Sequence, residues 1–361
     1  MQVRNQTPFA ADTLLWEDPD GALSLSVLVK CTFSVAWRDA GRKPEPAAKQ
    51  FPLFDADVPH EGDGLTSVKF ESDRVPFKPV ADVVVVGKAQ SPGGRPVPFL
   101  DVAVRVGGAA KALRVFGDRT WRFPTRLALS ARMSPPEPFT TMDLVYERAF
   151  GGIDSVGGHC PDNPIGKGYN SRKSPAAVHG KPLPNLEDPD HLIRAPGDRP
   201  LPASFGFYGR GWTPRLAYAG TYDEAYHKTR APKPPADFSQ RFFNGAHPDL
   251  QVAGYLRGDE DVELVNVGPE GARQFRLPGF RPRASILEYA VPPDRWLEEQ
   301  AAAGKQVGLA DAPVRSKQLH MELDTLVLVP DEKLFYEVFR GVYPLPKGEE
   351  AIARVARVEV A

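Results

Sequence analysis

The sequence predicts a mainly β protein, built from antiparallel sheets in a sandwich-like arrangement, with a large loop-rich central insert and few helices. The regular alternation over 22–37, with Leu28 as the main exception, is typical of a β-strand. The 361 residues include 38 Pro and 32 Gly. This is too much proline for a helical protein, because each Pro removes a backbone donor and fixes φ. Residues 139–250 lack regular periodicity yet contain aromatic residues throughout, which predicts folded loops rather than a disordered linker.

The first long strand is predicted over residues 22–37. Its apolar phase consists of Leu23, Leu25, Val27, Val29, Cys31, Phe33, Val35 and Trp37. The other phase carries mainly Ser, Lys and Thr, so we expect one face on the core and one toward solvent. Cys31 lies on the apolar phase, which predicts a buried free thiol. Since Cys160 is the only other cysteine, no disulfide framework is expected, and a reducing compartment is favoured.

Further strands follow in the N-terminal third. Four consecutive valines at 83–86 predict a strand that is buried on both faces. Residues 101–106 and 111–116 predict a hairpin around Gly107-Gly108, a pair that suits a tight turn. Residues 121–123 are expected to extend the same sheet.

The C-terminal third repeats this pattern. Two more hairpins are predicted, over residues 261–267 with 274–277 and over residues 319–329 with 334–340. Residues 293–303 predict the one clear helix, because a proline stands near its start and Gly304 follows its end. We interpret the chain as a β-rich part (1–138), a loop-rich segment packed on it (139–250) and a second β-rich part (251–361), forming one continuous domain over 1–345.

The charge balance gives no reason to expect nucleic acid or membrane partners. The chain has 45 Lys and Arg against 46 Asp and Glu, a formal net charge of −1, so no global field attracts an anionic surface. No run of about 18 apolar residues occurs, and the N-terminus lacks the apolar core of a signal peptide. We therefore expect a cytoplasmic protein that does not insert into membranes.

Catalytic motifs are not recognisable. The G-x-S-x-G nucleophile elbow and the G-x-x-x-x-G-K-[ST] phosphate loop are both absent. His159-Cys160 is the one adjacent His/Cys pair, and nothing at zinc-ligand spacing completes it. No metal or cofactor is therefore expected. The alternative that stays open is a hydrolase whose paired acidic groups lie in the loops of 139–250.

The central segment supplies residue types that are enriched in interface hot spots. The candidate partner-binding residues are Tyr146, Arg148, Phe150, Trp212, Arg215, Tyr222 and Phe243. The alternative is that Tyr146 and Phe150 pack in the core while Glu147 and Arg148 pair with other loops. Buried ion pairs that tie irregular backbone together are expected between Glu147, Asp223 and Asp237 on one side and Arg148, Arg215 and Arg241 on the other.

Short motifs spread over nearly the whole chain carry a family resemblance. They are Asn5-x-Thr7-Pro8-Phe9, Lys30-x-Thr32-Phe33, residues 73–82 with the element Lys78-Pro79-x-x-Asp82, Gly117-Asp118-Arg119-x-Trp121, Pro138-Phe139, residues 146–152, Asn163-Pro164-x-Gly166-x-Gly168, Leu183-Pro184-Asn185-Leu186-Glu187, Gly220-Thr221-Tyr222-Asp223, Asp237-Phe238, Leu323-Asp324-Thr325 and Arg340-Gly341. In this combination and order the chain resembles the domain of unknown function 2169 family, which is found with bacterial type VI secretion systems.

The resemblance implies a non-enzymatic adaptor or chaperone. Such a protein would bind the N-terminal region of a type VI effector and help to place it on the secretion spike, a valine–glycine-repeat (VgrG) trimer tipped by a PAAR-repeat protein. The resemblance supplies no catalytic residues. A secreted structural component of the spike assembly is a further alternative. Client binding is expected through aromatic and Arg anchors, or through a client strand added to an exposed sheet edge.

Overall fold

The computed structural model describes residues 2–18, 20–35, 43–61, 66–123, 131–171, 175–269, 271–345 and 355–361. Within these ranges the strands are β1 (Val3–Asn5), β2 (Ala10–Glu17), β3 (Leu23–Ser34), β4 (Glu45–Pro46), β5 (Val58–Pro59), β6 (Val68–Phe70), β7 (Ala81–Val85), β8 (Lys88–Gln90), β9 (Phe99–Val106), β10 (Ala109–Phe116), β11 (Trp121–Arg122), β12 (Arg132–Met133), β13 (Thr141–Asp143), β14 (Phe150–Gly151), β15 (Lys167–Gly168), β16 (Leu186–Glu187), β17 (Gln251–Val252), β18 (Asp261–Val265), β19 (Arg273–Arg276), β20 (Ala284–Tyr289), β21 (Val314–Leu319), β22 (Glu322–Val329), β23 (Leu334–Pro344) and β24 (Val355–Val360). The α-helices are α1 (Pro175–Val178), α2 (Thr213–Leu216), α3 (Glu224–Thr229) and α4 (Pro293–Ala302).

Three sheets form the body of the molecule. The largest has the strand order β17-β7-β22-β23-β3-β2. The short strand β4 pairs with the C-terminal end of β3, beyond the part of β3 that pairs with β2. A five-stranded sheet has the order β16-β10-β9-β18-β19, and a four-stranded sheet the order β1-β24-β20-β21. Most neighbours are antiparallel, while β7 beside β22 and β1 beside β24 are parallel. The prediction of a mainly β fold with few helices is confirmed.

One continuous core joins the three sheets. Val104 of the five-stranded sheet, Ile286 of the four-stranded sheet and Phe335 of the largest sheet all belong to it. The ring of Phe275 in β19 lies 5.5 Å from that of Phe335 in β23, so the two larger sheets are in direct contact. The alternating apolar residues of each strand supply these facing layers.

Strand β3 is buried on both faces, whereas a solvated polar face was expected. Ser26, Lys30 and Thr32 are inaccessible to solvent, because the segment that leads from β4 to β7 covers them. Lys30 Nζ donates to the carbonyl oxygen of Pro52 at 3.0 Å and contacts Asp73, and Thr32 Oγ1 accepts a hydrogen bond from the Phe51 amide at 2.9 Å. The polar residues of the strand therefore bind a covering loop instead of water.

The predicted hairpins are confirmed as β9–β10, β18–β19 and β22–β23, except that β22 begins at Glu322 and Leu319 belongs to β21 of the four-stranded sheet. Strand β7 is buried along its whole length. The helix over 293–303 is confirmed as α4. The prediction for residues 121–123 is wrong, because Trp121 in β11 pairs with Met133 in β12 in a separate two-stranded sheet. Helices α1, α2 and α3 were not predicted, since four to six residues are too few to show a helical period.

Side chains that bind backbone groups fix the irregular central segment. Asn163 Nδ2 donates to the carbonyl oxygens of Tyr146 and Phe150, at 2.8 and 3.1 Å. Asn185 Nδ2 donates to the carbonyl oxygen of Phe116 at 2.9 Å. Gly152 has a φ of +95°, and a Cβ atom there would lie 2.2 Å from the carbonyl oxygen of Gly166. These contacts explain how an ordered segment forms with little regular secondary structure.

The expected burial of Cys31 is also confirmed. Its side chain is inaccessible and unpaired to the other cysteine, Cys160. Burial, together with the nearby charge of Glu337, raises the pKa of the Cys31 thiol far above its ordinary value. The thiol is therefore unreactive in the folded protein.

Candidate partner-binding site

An apolar cleft opens beside the outer strand of the largest sheet. We call it the aromatic cleft and define it by Trp16, Phe77, Phe238 and Phe243. Its volume is about 420 Å³. Three prolines, Pro76, Pro79 and Pro234, complete most of the apolar lining, while Glu17, Ser239, Gln240 and Arg241 are its polar members. Apolar rings with a few polar groups at the margin are typical of a protein-binding surface.

The four rings form a continuous wall. Trp16 lies 5.6 Å from Phe77, Phe77 lies 6.5 Å from Phe243, and Phe243 lies 5.5 Å from Phe238, measured between ring centroids. The indole of Trp16 is fixed because its Nε1 donates to Ser26 Oγ at 2.9 Å. The cleft is therefore preorganised on the strand side.

Phe243 reaches the cleft on the short 3-10 turn Gln240–Phe243. Arg215, in α2, holds this turn because its Nε and Nη2 donate to the carbonyl oxygen of Phe242 at 3.1 and 2.8 Å. Arg215 Nη1 also lies 2.6 Å from Glu71 Oε1, and both side chains are 3% exposed. Arg215 thus ties the turn to the segment that leads into β7.

A buried network of charges extends from this ion pair. Lys78 Nζ lies 2.7 Å from Asp82 and 3.4 Å from Glu71. Asp82 accepts hydrogen bonds from Asn244 Nδ2 at 3.0 Å and from the Gly245 amide at 2.9 Å. The network therefore fixes the backbone that directly follows Phe243.

The pKa values of Glu71 and Lys78 are both shifted in the direction that favours their ionised forms. Burial alone would raise the pKa of Glu71, but Arg215, Lys78 and Arg210 outweigh it and hold that pKa below its usual value. Burial alone would lower the pKa of Lys78, but Asp82 and Glu71 outweigh it and raise that pKa. Buried charges that are paired in this way anchor loops, and removing one partner is strongly destabilising.

Comparison with known proteins adds one finding to this geometry. The model of a bacterial family described as "Uncharacterized protein conserved in bacteria (DUF2169)" matches residues 20–340. The chain belongs to this family. No curated protein and no solved structure matches it.

In this DUF2169 protein, several residues that carry the sequence resemblance are interior polar groups. Lys78 and Asp82 belong to the network described above. Arg119 pairs with Glu187, and Arg340 pairs with Asp324, and all four of these side chains are buried. These positions therefore hold the fold together and present no surface to a partner.

The structure corrects the interpretation of four candidate residues as exposed anchors. The rings of Tyr146 and Trp212 pack against each other at 5.1 Å. Phe150 belongs to a second, smaller core together with Trp121. Arg215 is the buried anchor of the Phe243 turn. All four side chains lie in the interior, because a segment of irregular backbone needs its own apolar and ionic core. For Tyr146 and Phe150, the alternative prediction that they pack in the core is the one that agrees with the structure.

Three candidates remain accessible, and the structure does not bring them together. Tyr222 is 55% exposed and packs on Tyr226, with ring centroids 4.8 Å apart. Arg148 is half-buried and lines a different, polar groove. Phe243 alone lies in the aromatic cleft. Sequence reasoning missed Trp16 and the other cleft aromatics, since no local pattern relates residues so far apart in the chain.

The predicted ion pairs are also corrected. Glu147 accepts hydrogen bonds from the amide and hydroxyl of Ser67, at 2.6 and 2.7 Å. Asp223 accepts from the Tyr226 amide at 2.8 Å and caps α3. Asp237 accepts from the Thr221 amide at 2.9 Å. Asp223 binds a local donor because helix starts need an acceptor, whereas Glu147 joins two segments that are 80 residues apart in the chain.

The polar groove that Arg148 lines has a volume of about 640 Å³. Charges of both signs surround it, and Lys88 Nζ pairs with Asp143 at 3.1 Å on its rim. Burial lowers the pKa of His60 and raises that of Asp331.

Over the part of the chain that the structure describes, no three His, Cys, Asp or Glu side chains are grouped to hold a metal ion. Among the same residues, none of the helices has the length and apolar character needed to cross a bilayer.

Proposed function

We propose that this protein is a non-enzymatic adaptor or chaperone that binds a type VI secretion effector and helps to load it onto the VgrG/PAAR spike. The observation that carries the proposal is the aromatic cleft beside the outer strand of the largest sheet. It offers rings and backbone groups to an extended segment of another protein, as peptide-binding domains do.

The nature of the cleft supports binding rather than turnover. Two hydrogen bonds fix its rings: Trp16 Nε1 donates to Ser26 Oγ, and Arg215 Nη2 donates to the carbonyl oxygen of Phe242, next to Phe243. The surface that would bind a client is therefore preformed. Aromatic residues contribute disproportionately to binding energy when a partner excludes water from them. The near-neutral net charge is consistent with specificity that comes from shape and local contacts.

The secretion context comes from the family resemblance. The client would be the N-terminal region of an effector, and the complex would form in the cytoplasm before it meets the PAAR-repeat protein or the VgrG spike. An adaptor of this kind keeps its client in a loadable state until the spike is assembled. No nucleic acid and no membrane insertion take part in this function.

The proposal is tested in the bacterium that carries the gene. We expect deletion of the gene to lower the level and the secretion of one effector, and a tagged copy of the protein to co-purify with that effector. Phe243→Ser should reduce the recovered effector, whereas Phe99→Ser should not, because Phe99 is 49% exposed on a different sheet. Unchanged effector level and secretion after deletion would contradict the proposal. Release of the protein itself with the spike would instead favour a structural component.

A hydrolase remains the second candidate, and the polar groove is the observation that favours it, although this groove joins residues of the 139–250 loops, where the acidic pair was expected, to carboxyl groups that lie outside them. Asp331 and Glu332 are adjacent carboxyl groups there, and the raised pKa of Asp331 is a property of general acids. Release of sugars or peptides from purified cell walls, lost in Asp331→Asn, would establish this activity. We expect no turnover from the purified protein.

A further inference from the structure

We infer that one water molecule is a fixed part of this protein, bound in a small polar cavity between β23 and the segment 71–78. Its partners are the Nε–H group of Arg340, the carboxylate of Glu71 and the hydroxyl of Tyr336. Three observations support this site: the size of the cavity, buried polar atoms in its wall that lack a hydrogen-bond partner, and a balance of charge around it.

Polar side chains form almost the whole wall of the cavity. Its volume is about 10 Å³, and its lining consists of Glu71, Ser72, Asp73, Lys78, Phe207, Thr325, Tyr336 and Arg340. All of these residues are buried except Ser72, which is half-buried. A cavity of roughly 10–15 Å³ holds one water, whereas cavities that stay dry are apolar. The size and the lining therefore fit a single water molecule.

Arg340 supplies a buried donor that lacks an acceptor. Its Nη1 contacts the carboxylate of Asp324, and its Nη2 donates to the carbonyl oxygen of Asp73 at 3.2 Å. Its Nε has no hydrogen-bond partner among the residues that the structure describes, although Arg340 is only 4% exposed. Because a buried N–H group without an acceptor is costly, we expect an acceptor beside this nitrogen.

Glu71 and Lys78 add an acceptor and a further donor on the same cavity. Glu71 Oε1 lies 2.6 Å from Arg215 Nη1, yet no hydrogen bond of good geometry reaches this oxygen from the described residues. The ammonium of Lys78 has three N–H groups, and the described part of the chain offers it two acceptors, Asp82 at 2.7 Å and Glu71 at 3.4 Å. A ligand that both donates and accepts hydrogen bonds suits these groups, and water does both.

Tyr336 places a hydroxyl close to the same groups. Its ring packs against those of Phe51 and Phe70, with centroids 5.3 and 6.1 Å away, which fixes the direction of the side chain. Burial, together with the charges of Asp73 and Glu71, raises the pKa of Tyr336 well above its ordinary value. The hydroxyl is therefore protonated and can donate or accept. With Arg340 and Glu71 it gives a water three partners, the usual number for a buried water.

The balance of charge selects a neutral ligand. Two carboxylates and two cations line the cavity: Glu71, Asp73, Lys78 and Arg340. The charges paired around them balance as well, with Lys30, Arg210 and Arg215 on one side and Asp57, Asp82 and Asp324 on the other. An ion in the cavity would add an unpaired buried charge, which is costly. Water is therefore favoured over a small ion.

A water at this position joins two parts of the buried charge network. Arg340 and Tyr336 belong to β23, whereas Glu71 lies in the segment that covers β3. Glu71 also pairs with Arg215, the anchor of the Phe243 turn. The water thus connects the largest sheet, through hydrogen bonds, to the backbone that supports the aromatic cleft. It does so whether or not the protein binds an effector.

A high-resolution crystal structure of the unmodified protein tests the site directly. We expect one density peak in the cavity, about 2.7–3.2 Å from Arg340 Nε and from Glu71 Oε1 or the Tyr336 hydroxyl oxygen. Crystals soaked in a rubidium or bromide salt distinguish water from an ion, because either ion would give an anomalous signal at this position. An empty cavity, an anomalous signal there, or a peak without these partners would overturn the inference.

Magnetic relaxation dispersion of the water signal measures the exchange of the bound water in solution. Tyr336→Phe keeps the packed ring but removes one partner, so we expect the water to exchange roughly fivefold faster, the factor for one lost hydrogen bond. The matched control is Tyr343→Phe, because the Tyr343 hydroxyl accepts from Lys317 Nζ in β21 at 2.8 Å. This control should leave the exchange unchanged.

Equal exchange in the Tyr336→Phe and Tyr343→Phe variants would overturn the site. If Tyr336→Phe does not fold, the crystal structure of the unmodified protein decides alone.

Discussion

Replacing Arg215 with Met distinguishes a buried anchor from a partner contact. The change removes the 2.6 Å ion pair with Glu71 and the hydrogen bonds to the carbonyl oxygens of Tyr208 and Phe242. Breaking a buried pair costs about 3–5 kcal/mol when the remaining charge is left alone. Here Lys78 and Arg210 each remain 3.4 Å from Glu71, so the lower end of that range applies.

The expected cost of Arg215→Met is therefore about 3 kcal/mol for the ion pair, plus about 1 kcal/mol for the carbonyl groups that lose their donor. Urea unfolding followed by tryptophan fluorescence measures this loss in the free energy of unfolding. The matched control is Arg295→Met, because Arg295 pairs with Glu299 at 2.9 Å on an exposed helix face. An exposed pair of this kind is worth about 0.5 kcal/mol.

The same variants decide between the two interpretations of Arg215. A loss of less than about 1 kcal/mol with Arg215→Met, together with abolished effector binding, would refute the argument from burial and restore Arg215 as a contact residue. A large loss in stability accompanied by weaker binding fits an anchor that holds the Phe243 turn. Glu71→Gln should be at least as destabilising as Arg215→Met, because it leaves the buried guanidinium of Arg215 without its carboxylate, although Gln keeps a neutral acceptor.

Two further predictions concern the pH dependence of stability and the central loops. Burial, with a contribution from the charge of Glu260, raises the pKa of Glu337 well above its ordinary value of 4.5. The folded state therefore holds this proton more tightly than the unfolded state does. The free energy of unfolding then falls as pH rises from about 4.5 toward the pKa of the folded protein. Glu337→Gln should therefore become more stable relative to the unmodified protein by up to about 1.4 kcal/mol per pH unit as pH rises above about 5; parallel pH profiles of the two proteins in urea unfolding would contradict it. Gly152→Ala should destabilise by more than about 2 kcal/mol, because the new Cβ meets the Gly166 carbonyl oxygen. The control is Gly180→Ala, because Gly180 has a φ of +74° but open space around it, and this change should cost about 1 kcal/mol. Thermal unfolding compares the two variants. Equal losses would show that the contact with the Gly166 carbonyl oxygen does not matter.

The fold could be predicted from the sequence at those places where neighbouring residues form a pattern that is typical of one structure. The alternation in β3 and the Gly107-Gly108 turn identified a strand and a hairpin, because a period of two and a tight turn are properties of neighbouring residues. The burial of Lys30 could not be predicted, since it depends on a loop more than twenty residues away that brings Asp73 to it. Sheet order is non-local in the same way: nothing in the valines of β7 indicates that they pair in parallel with β22.

The candidate site was only partly predictable for a related reason. Hot-spot residue types identified Phe243, but the same types also fill the core, and composition does not separate Phe243 from Phe150. What separates them is the partner that each ring finds: Phe150 packs with Trp121 in a closed cluster, whereas Phe243 packs with Phe77 at an open margin. Such a distinction needs the three-dimensional arrangement.

The family resemblance and the partner surface rest only in part on the same residues: Phe238 and Pro79 belong to both. Lys78 and Asp82, which helped to identify the family, are buried ions that position the backbone after Phe243. Trp16, at one end of the wall of rings, belongs to none of the recognised motifs, whereas Phe77 lies within the stretch 73–82 that helped to identify the family. A scaffold fixed by interior charges tolerates exchange of cleft side chains, because each exchange removes some apolar contact at a margin without unpairing a buried charge. We therefore expect client preference to change with the cleft aromatics, while the interior network sets whether the protein folds.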